Sequence, residues 1–268
     1  MEERIWDHIQ RVRETSPLVH NITNYVVMNS SANALLAAGA SPVMAHSEEE
    51  VEDMVAIAGA LVINIGTLSG KWVSAMKKAI RRANKLNKPV VFDPVGAGAT
   101  PYRNRAIKEL LQTGTMAIIR ANASEIMAIV SEEQRTKGVD STELAENALE
   151  SGRILQREYG SVVSISGETD YIVSEGAVTE IGNGHELMPR ITGMGCAATA
   201  ITGALAAVTD NCMEAAAGGM ALMGVAGELA SLSSEGPGSL QVRFYDTLHH
   251  LTREQFLKTL RLKIRNDG

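Results

Sequence analysis

Aromatic rings are scarce in this chain: three phenylalanines, five tyrosines and two tryptophans make up 4% of its 268 residues. Its layers must therefore pack through aliphatic and small side chains, which lets helices approach closely. Only two cysteines occur, Cys196 and Cys212. Their spacing suits no metal, which excludes a disulfide framework and a zinc ribbon and points to a reducing, cytoplasmic setting. No basic run is longer than Lys77-Lys78 followed by Arg81-Arg82, and the formal net charge is −6, so nucleic acid is excluded as a partner. The opening residues, Met1 to Trp6, are charged and amphipathic and lack the apolar core of a secretory signal. Ile191 to Thr209 carries no charge, but it is mostly Ala, Gly and Thr. That composition predicts a buried helix and no membrane span.

What remains is an ordinary globular mixture, 45% hydrophobic and 21% charged, expected to form one domain over residues 1–268. Helical spacing is read at Glu2–Thr15, Val26–Ala38, Trp72–Leu86, Arg103–Leu111, Ser124–Val130 and Thr142–Tyr159. A capping box is read at Ser47 with Glu50. Short apolar runs at Leu18–His20, Ser41–Met44, Ala60–Ile65, Val90–Phe92, Ala117–Ile119 and Ser161–Ile165 read as strands between them. This alternation predicts a mostly parallel sheet with helices on both faces, a three-layer α/β/α fold. Tyr171–Val173 and Val178–Glu180, joined through Glu175-Gly176, read as a hairpin at one sheet edge. After it only helices are predicted: Ala197–Val208, Met213–Ser231, Ser239–Leu251 and Glu254–Leu262 form a helical C-terminal tail.

In open parallel sheets the ligand crevice lies outside the carboxyl ends of the strands. The residues there include Asn24, Met44, Gly66, Asp93, Arg120, Asn122, Glu125, Ser166 and Gly167. To these the stretch Arg190–Thr199 adds Gly193-Met194-Gly195-Cys196, a turn opening a helix, where bare N–H groups can hold a phosphate or an oxyanion. A cysteine in that first turn is expected to have its thiolate favoured. One fixed cation, two carboxylates and bare amides suit phosphoryl transfer with magnesium. Each feature also has a structural reading. The Gly-x-Gly turn can serve close packing, Asp93-Pro94 can start a turn, and Arg120 can be an ion-pair partner. Asn122 with Glu125 can be an N-cap and its acid, His20 a hydrogen-bonded core histidine, and Met44 core.

Two nucleotide motifs are absent in the form their chemistry requires. No Gly-x4-Gly-Lys-Ser/Thr occurs, and Gly193 to Ala198, though it satisfies Gly-x-Gly-x-x-Ala, follows a hairpin and Pro189 and not a first buried strand.

Taken together, Thr23–Asn29, Gly39–Met44, Asp93–Gly98, Ile119–Ile126, Thr192–Cys196 and Gly236–Ser239 resemble the hydroxyethylthiazole kinases of the ribokinase-like superfamily, over nearly the whole chain. The resemblance implies ATP-dependent phosphorylation of 4-methyl-5-(2-hydroxyethyl)thiazole with Mg2+, in thiamine salvage, by a homotrimer with interfacial active sites. It implies that Met44, Gly193 and Asn24 meet the thiazole alcohol and that Arg120, Ser166 and Asn122 meet ATP. It further implies that Gly193, Met194 and Gly195 form the anion hole, that Asp93 and Glu125 organise the metal, and that Cys196 stands where relatives carry an aspartate base. Met194 and Ala121 occupy places where that family often has Thr and Gly. The rival readings are a pyrimidine or pyridoxal kinase of the same fold, a nucleotide-responsive binding protein, and a dinucleotide oxidoreductase.

Overall fold

The structure is a computed structural model that describes residues 1–131 and 141–266. In chain order the strands are β1 (Leu18–Ile22), β2 (Ser41–Val43), β3 (Ala60–Asn64), β4 (Val90–Asp93), β5 (Ile118–Asn122), β6 (Val162–Ser166), β7 (Asp170–Ser174), β8 (Ala177–Ile181) and β9 (Leu262–Asn266). The helices are α1 (Glu2–Thr15), α2 (Met28–Ala38), α3 (Val51–Ile57), α4 (Gly70–Lys85), α5 (Pro101–Leu111), α6 (Ala123–Ser131) and α7 (Ser141–Tyr159), then α8 (Met194–Ala206), α9 (Cys212–Ser231), α10 (Pro237–His250) and α11 (Arg253–Thr259).

Among the described residues, nine strands join one sheet in the order β2-β1-β3-β4-β5-β6-β7-β8-β9. Pairing is parallel from β2 through β6 and antiparallel from β6 through β9. The chain leaves β1 toward β2 and then continues on β1's other side, so the order reverses between β1 and β3. A crevice opens there at the carboxyl ends.

Successive strand residues point to opposite faces, which divides the core in two. Val62, Val91 and Ile118 pack under α8, with α1, α2, α9 and α10 completing that layer. Leu61, Ile63, Val90, Phe92 and Ile119 pack against α4, α5 and α6. Burying one such aliphatic side chain stabilises the fold by about 1.5–3 kcal/mol. The central helix is α8, buried from Ala197 to Ala206. It sits close on the sheet because Gly203 presents no side chain to Val62; an added Cβ would lie 2.6 Å from its Cγ2. Among the described residues, no helix is long and apolar enough to cross a membrane.

The three layers and the β7–β8 hairpin follow the sequence expectation; the hairpin does not lie at the sheet edge, because β9 pairs outside β8, and two further local expectations also differ. The tail is not helices only: α11 stops at Thr259 and Leu262–Asn266 forms β9, antiparallel to β8. Leu262-Lys263-Ile264-Arg265 alternates apolar and basic residues, a period of two, and its charges suit an exposed sheet edge. Nor do Ser47 and Glu50 form a capping box. Glu50 is itself the N-cap of α3, and the main-chain carbonyl of Ser47 accepts from the N–H groups of Glu50 and Val51.

Candidate active site

The strand parity that buries Val62, Val91 and Ile118 under α8 also turns Asn64, Asp93 and Arg120 toward that helix, two residues further along each strand. Three adjacent strands thus deliver an amide, a carboxylate and a guanidinium to the first turn of α8.

The polar groups form a buried chain. Thr199 Oγ1 on α8 donates to Asp93 Oδ2 at 2.7 Å, and Asn64 Nδ2 donates to the same oxygen at 2.8 Å. Asn64 Oδ1 accepts from Asn24 Nδ2 at 2.8 Å and from Gly66 N–H at 3.0 Å. Asn24 Nδ2 also lies 3.7 Å from Cys196 Sγ. Gly66 must lack a side chain, because a Cβ there would come within 2.4 Å of Asn24 Nδ2. The chain therefore bridges the switch point between β1 and β3 and joins Cys196 to Asp93.

A second group of contacts fixes the loop after β4. Glu125 Oε1 accepts from Gly96 N–H at 2.8 Å, and Oε2 accepts from Asn122 N–H at 3.0 Å. Asn122 Oδ1 accepts in return from Glu125 N–H at 2.9 Å. The cap reading of Asn122 with Glu125 thus holds, and the same carboxylate also shapes the Asp93–Gly98 turn. Arg103 donates to the carbonyls of Ile65, Val95 and Gly66, which staples the ends of β3 and β4 together.

Gly193 is the N-cap of α8 at φ +87°, and among the described residues no side chain caps the helix. A Cβ on Gly193 would lie 2.8 Å from Val27 Cγ1. Helix geometry leaves the N–H groups of Met194, Gly195 and Cys196 without intrahelical partners, aimed into the crevice. Arg120 lies against this turn, its Nη1 2.8 Å from where a Gly195 Cβ would stand. Arg120 is 7% exposed, and its Nε has no hydrogen-bond partner among the described residues.

Burial dominates the electrostatics. It lifts the Asp93 carboxyl to about 6, against the opposing pull of Arg120, Thr199 and Asn64, while Glu125 adds to the lift. Burial, with the Asp93 carboxylate beside it, pushes the Cys196 thiol up to about 11. The sequence expectation of a favoured thiolate is therefore reversed. The helix start is present, but desolvation and a neighbouring negative charge outweigh it.

Of the residues singled out in the sequence, Asn24, Asp93, Arg120, Cys196 and the Gly193–Gly195 turn come together, and Glu125 joins through Gly96. Asn122 and Ser166 are register partners at the ends of β5 and β6, beyond Arg120. Met44 follows β2 on the far side of β1, where its carbonyl meets His46 Nδ1 at 3.4 Å. His20 is a core histidine whose Nε2 holds the carbonyl of Ala45 at 2.7 Å. Asn64, Thr199, Arg103 and Asp170 were not singled out. The signal for Asn64 was one polar residue inside an apolar strand run.

A model of the hydroxyethylthiazole kinase family matches residues 9–254. The chain belongs to that family. A hydroxyethylthiazole kinase of Syntrophus aciditrophicus is 57% identical over 97% of both chains. One from Leptospira biflexa is 51% identical over 96% of both. The solved hydroxyethylthiazole kinase from Pyrococcus horikoshii superposes with a TM-score of 0.91 at 42% identity, covering 98% of this chain and 100% of that one. A pyridoxal kinase from Staphylococcus aureus, at TM-score 0.67 and 16% identity over 93% of this chain and 98% of its own, shares the fold alone. The three-layer fold is thus shared with the solved hydroxyethylthiazole kinase and with this more distant kinase.

Proposed function

We propose that the chain phosphorylates the primary hydroxyl of 4-methyl-5-(2-hydroxyethyl)thiazole with ATP, giving the thiazole phosphate for thiamine salvage. The observation that carries this reading is Arg120, a buried cation with an unpartnered Nε facing an uncapped helix start. Such a pair of features is built for a phosphoryl group. Family membership supplies the substrate class.

In this reading ATP lies across the ends of β5 and β6, its phosphates met by Arg120 with Asn122 and Ser166 alongside. The alcohol lies over Asn24, Met44 and Gly193. Cys196 Sγ accepts the hydrogen bond of the attacking hydroxyl and aligns its oxygen on the γ-phosphorus. As the new O–P bond forms, the bond to ADP breaks, and the amides of Gly193, Met194 and Gly195 together with Arg120 take up the developing charge. The alcohol proton leaves late, once bonding to phosphorus has made that oxygen acidic, and passes to water. A thiol held up at about 11 therefore assists mainly by alignment.

Asp93 and Glu125 are a hard-oxygen pair suited to Mg2+. Both Glu125 oxygens already hold backbone amides, and Asp93 Oδ2 holds Asn64 and Thr199. No group of three or more ligating side chains occurs among the described residues. The pair fits a hydrated magnesium ion that arrives with the nucleotide and keeps several waters. When bound, such an ion neutralises phosphate charge.

Tyr25 and Val26, 64% and 69% exposed directly after Asn24, suit a homotrimer whose neighbouring subunit covers the alcohol side. The setting is cytoplasmic, and residues 1–268 act as one ribokinase-like unit. Arg120→Ala tests the nucleotide side: KM for ATP should rise about ten- to a hundredfold, the worth of a charge-assisted hydrogen bond. A lower melting temperature with unchanged ATP kinetics would make Arg120 structural.

A further inference from the structure

We infer that Asp170 is a positioning residue for the nucleotide: its buried carboxylate holds the Ser166–Gly167 turn in place and sets the charge beside Arg120. This rests on the reading of Arg120 and Ser166 as nucleotide-binding. Asp170 opens β7, is 7% exposed, and accepts the N–H of Gly167 through Oδ1 at 3.0 Å. The turn between them is tight, since a Cβ on Gly167 would lie 3.2 Å from the carbonyl oxygen of Thr169. On β7, Ile172 packs into the α8 layer, so Asp170, two residues earlier, is on the face that carries Arg120.

The choice of an acid is informative. An asparagine would accept the same N–H without bringing a charge into a buried site. Burial lifts the Asp170 carboxyl to about 7, while the Gly167 amide and Arg120 oppose that lift. The charged group acting on it is Arg120 on β5. Glu168 lies in its own turn, Ile181 is its apolar partner on β8, and the acids of α9 are held elsewhere, Glu214 by Arg4 and His8 and Glu228 by Arg261. Before nucleotide arrives, the carboxylate helps balance the buried guanidinium. Once phosphates take that role, its negative charge opposes them, and the protonated acid is preferred.

The test is steady-state kinetics with ATP varied and the thiazole alcohol saturating, on the full chain. Asp170→Ala removes the acceptor, and KM for ATP should rise about five- to tenfold while KM for the alcohol stays put. Asp170→Asn keeps the acceptor and removes the charge, so KM for ATP should match the wild-type value near pH 6 and fall below it toward pH 8. The ratio of wild-type to Asn KM should approach one near pH 6 and widen toward pH 8. An unchanged KM for ATP in Asp170→Ala, or an Asn variant that behaves like Ala, overturns the inference. If Asp170→Ala does not fold, a wild-type-to-Asn ratio that is flat with pH overturns it instead. Arg120→Ala separates the two levels: if it raises KM for ATP and Asp170→Ala does not, only the role of Asp170 fails. If neither does, the nucleotide reading itself fails.

Discussion

Replacing Asp93 by asparagine should stabilise the free protein while removing most of its activity. Asp93 is 1% exposed, and its carboxyl is lifted from an ordinary 3.8 to about 6. The folded protein thus binds this proton more tightly than the unfolded chain, and stability falls as pH rises from about 4 to about 6. Above that window the full cost of the buried charge is present. At about 1.4 kcal/mol per tenfold difference in proton affinity, the ceiling is on the order of 3 kcal/mol. The pull of Arg120 is already contained in that value, but the asparagine amide nitrogen needs an acceptor that the carboxylate did not, which trims the gain to about 1–2 kcal/mol. For a chain of this size that is a rise of about 2–6 °C in melting temperature. The assay is thermal unfolding of wild type and Asp93→Asn without nucleotide or magnesium, from pH 4 to pH 8. The gain should be largest at pH 8 and fade toward pH 4. The same substitution should lower the Cys196 thiol from its value of about 11, because Asp93 is one of the groups that raise it. Alkylation rates between pH 8 and 10, measured with Cys212 replaced by serine, report that change. An Asn variant that melts lower at pH 8, with an unchanged alkylation profile, would refute the reasoning.

Cys196→Ala should slow turnover by about tenfold to a thousandfold without abolishing it, since the amides and Arg120 remain. Cys196→Asp should stay active, because a carboxylate there also accepts the hydrogen bond of the attacking hydroxyl, and it should add an acid limb at low pH that the protonated wild-type thiol does not give; wild-type turnover in Cys196→Ala at every pH would leave the thiol only filling space. Light scattering should give a trimer, and a monomeric mass with full activity would refute shared active sites.

The layers were legible because they rest on periodicity. Runs such as Val90–Phe92 and helices such as α4 carry their burial pattern locally, so the parallel sheet could be written down before any contact was known. The carboxyl-end rule then placed Asp93, Arg120 and the Gly193 turn in one crevice. Two kinds of feature were not legible. One is partnership across strands: Asn64 reads as a blemish in β3 until Asn24, Asp93 and Gly66 are seen around it, and Arg103 reads as a helix start until it staples two loops. The other is the balance of opposed effects. Helix start and burial act on Cys196 in opposite directions, and only the depth of the thiol and the distance to Asp93 decide between them. At the tail, β9 was not legible because Leu262 closes the apolar spacing of the helix before it and the alternation from Lys263 to Asn266 is too short to mark a strand alone.

The most direct test of the central claim is ADP release by the purified chain with magnesium-ATP and a panel of thiazole, pyrimidine and pyridoxal alcohols. The thiazole alcohol should be phosphorylated far faster than the others. Equal rates across the panel, or no ADP above background with the thiazole alcohol, would contradict it.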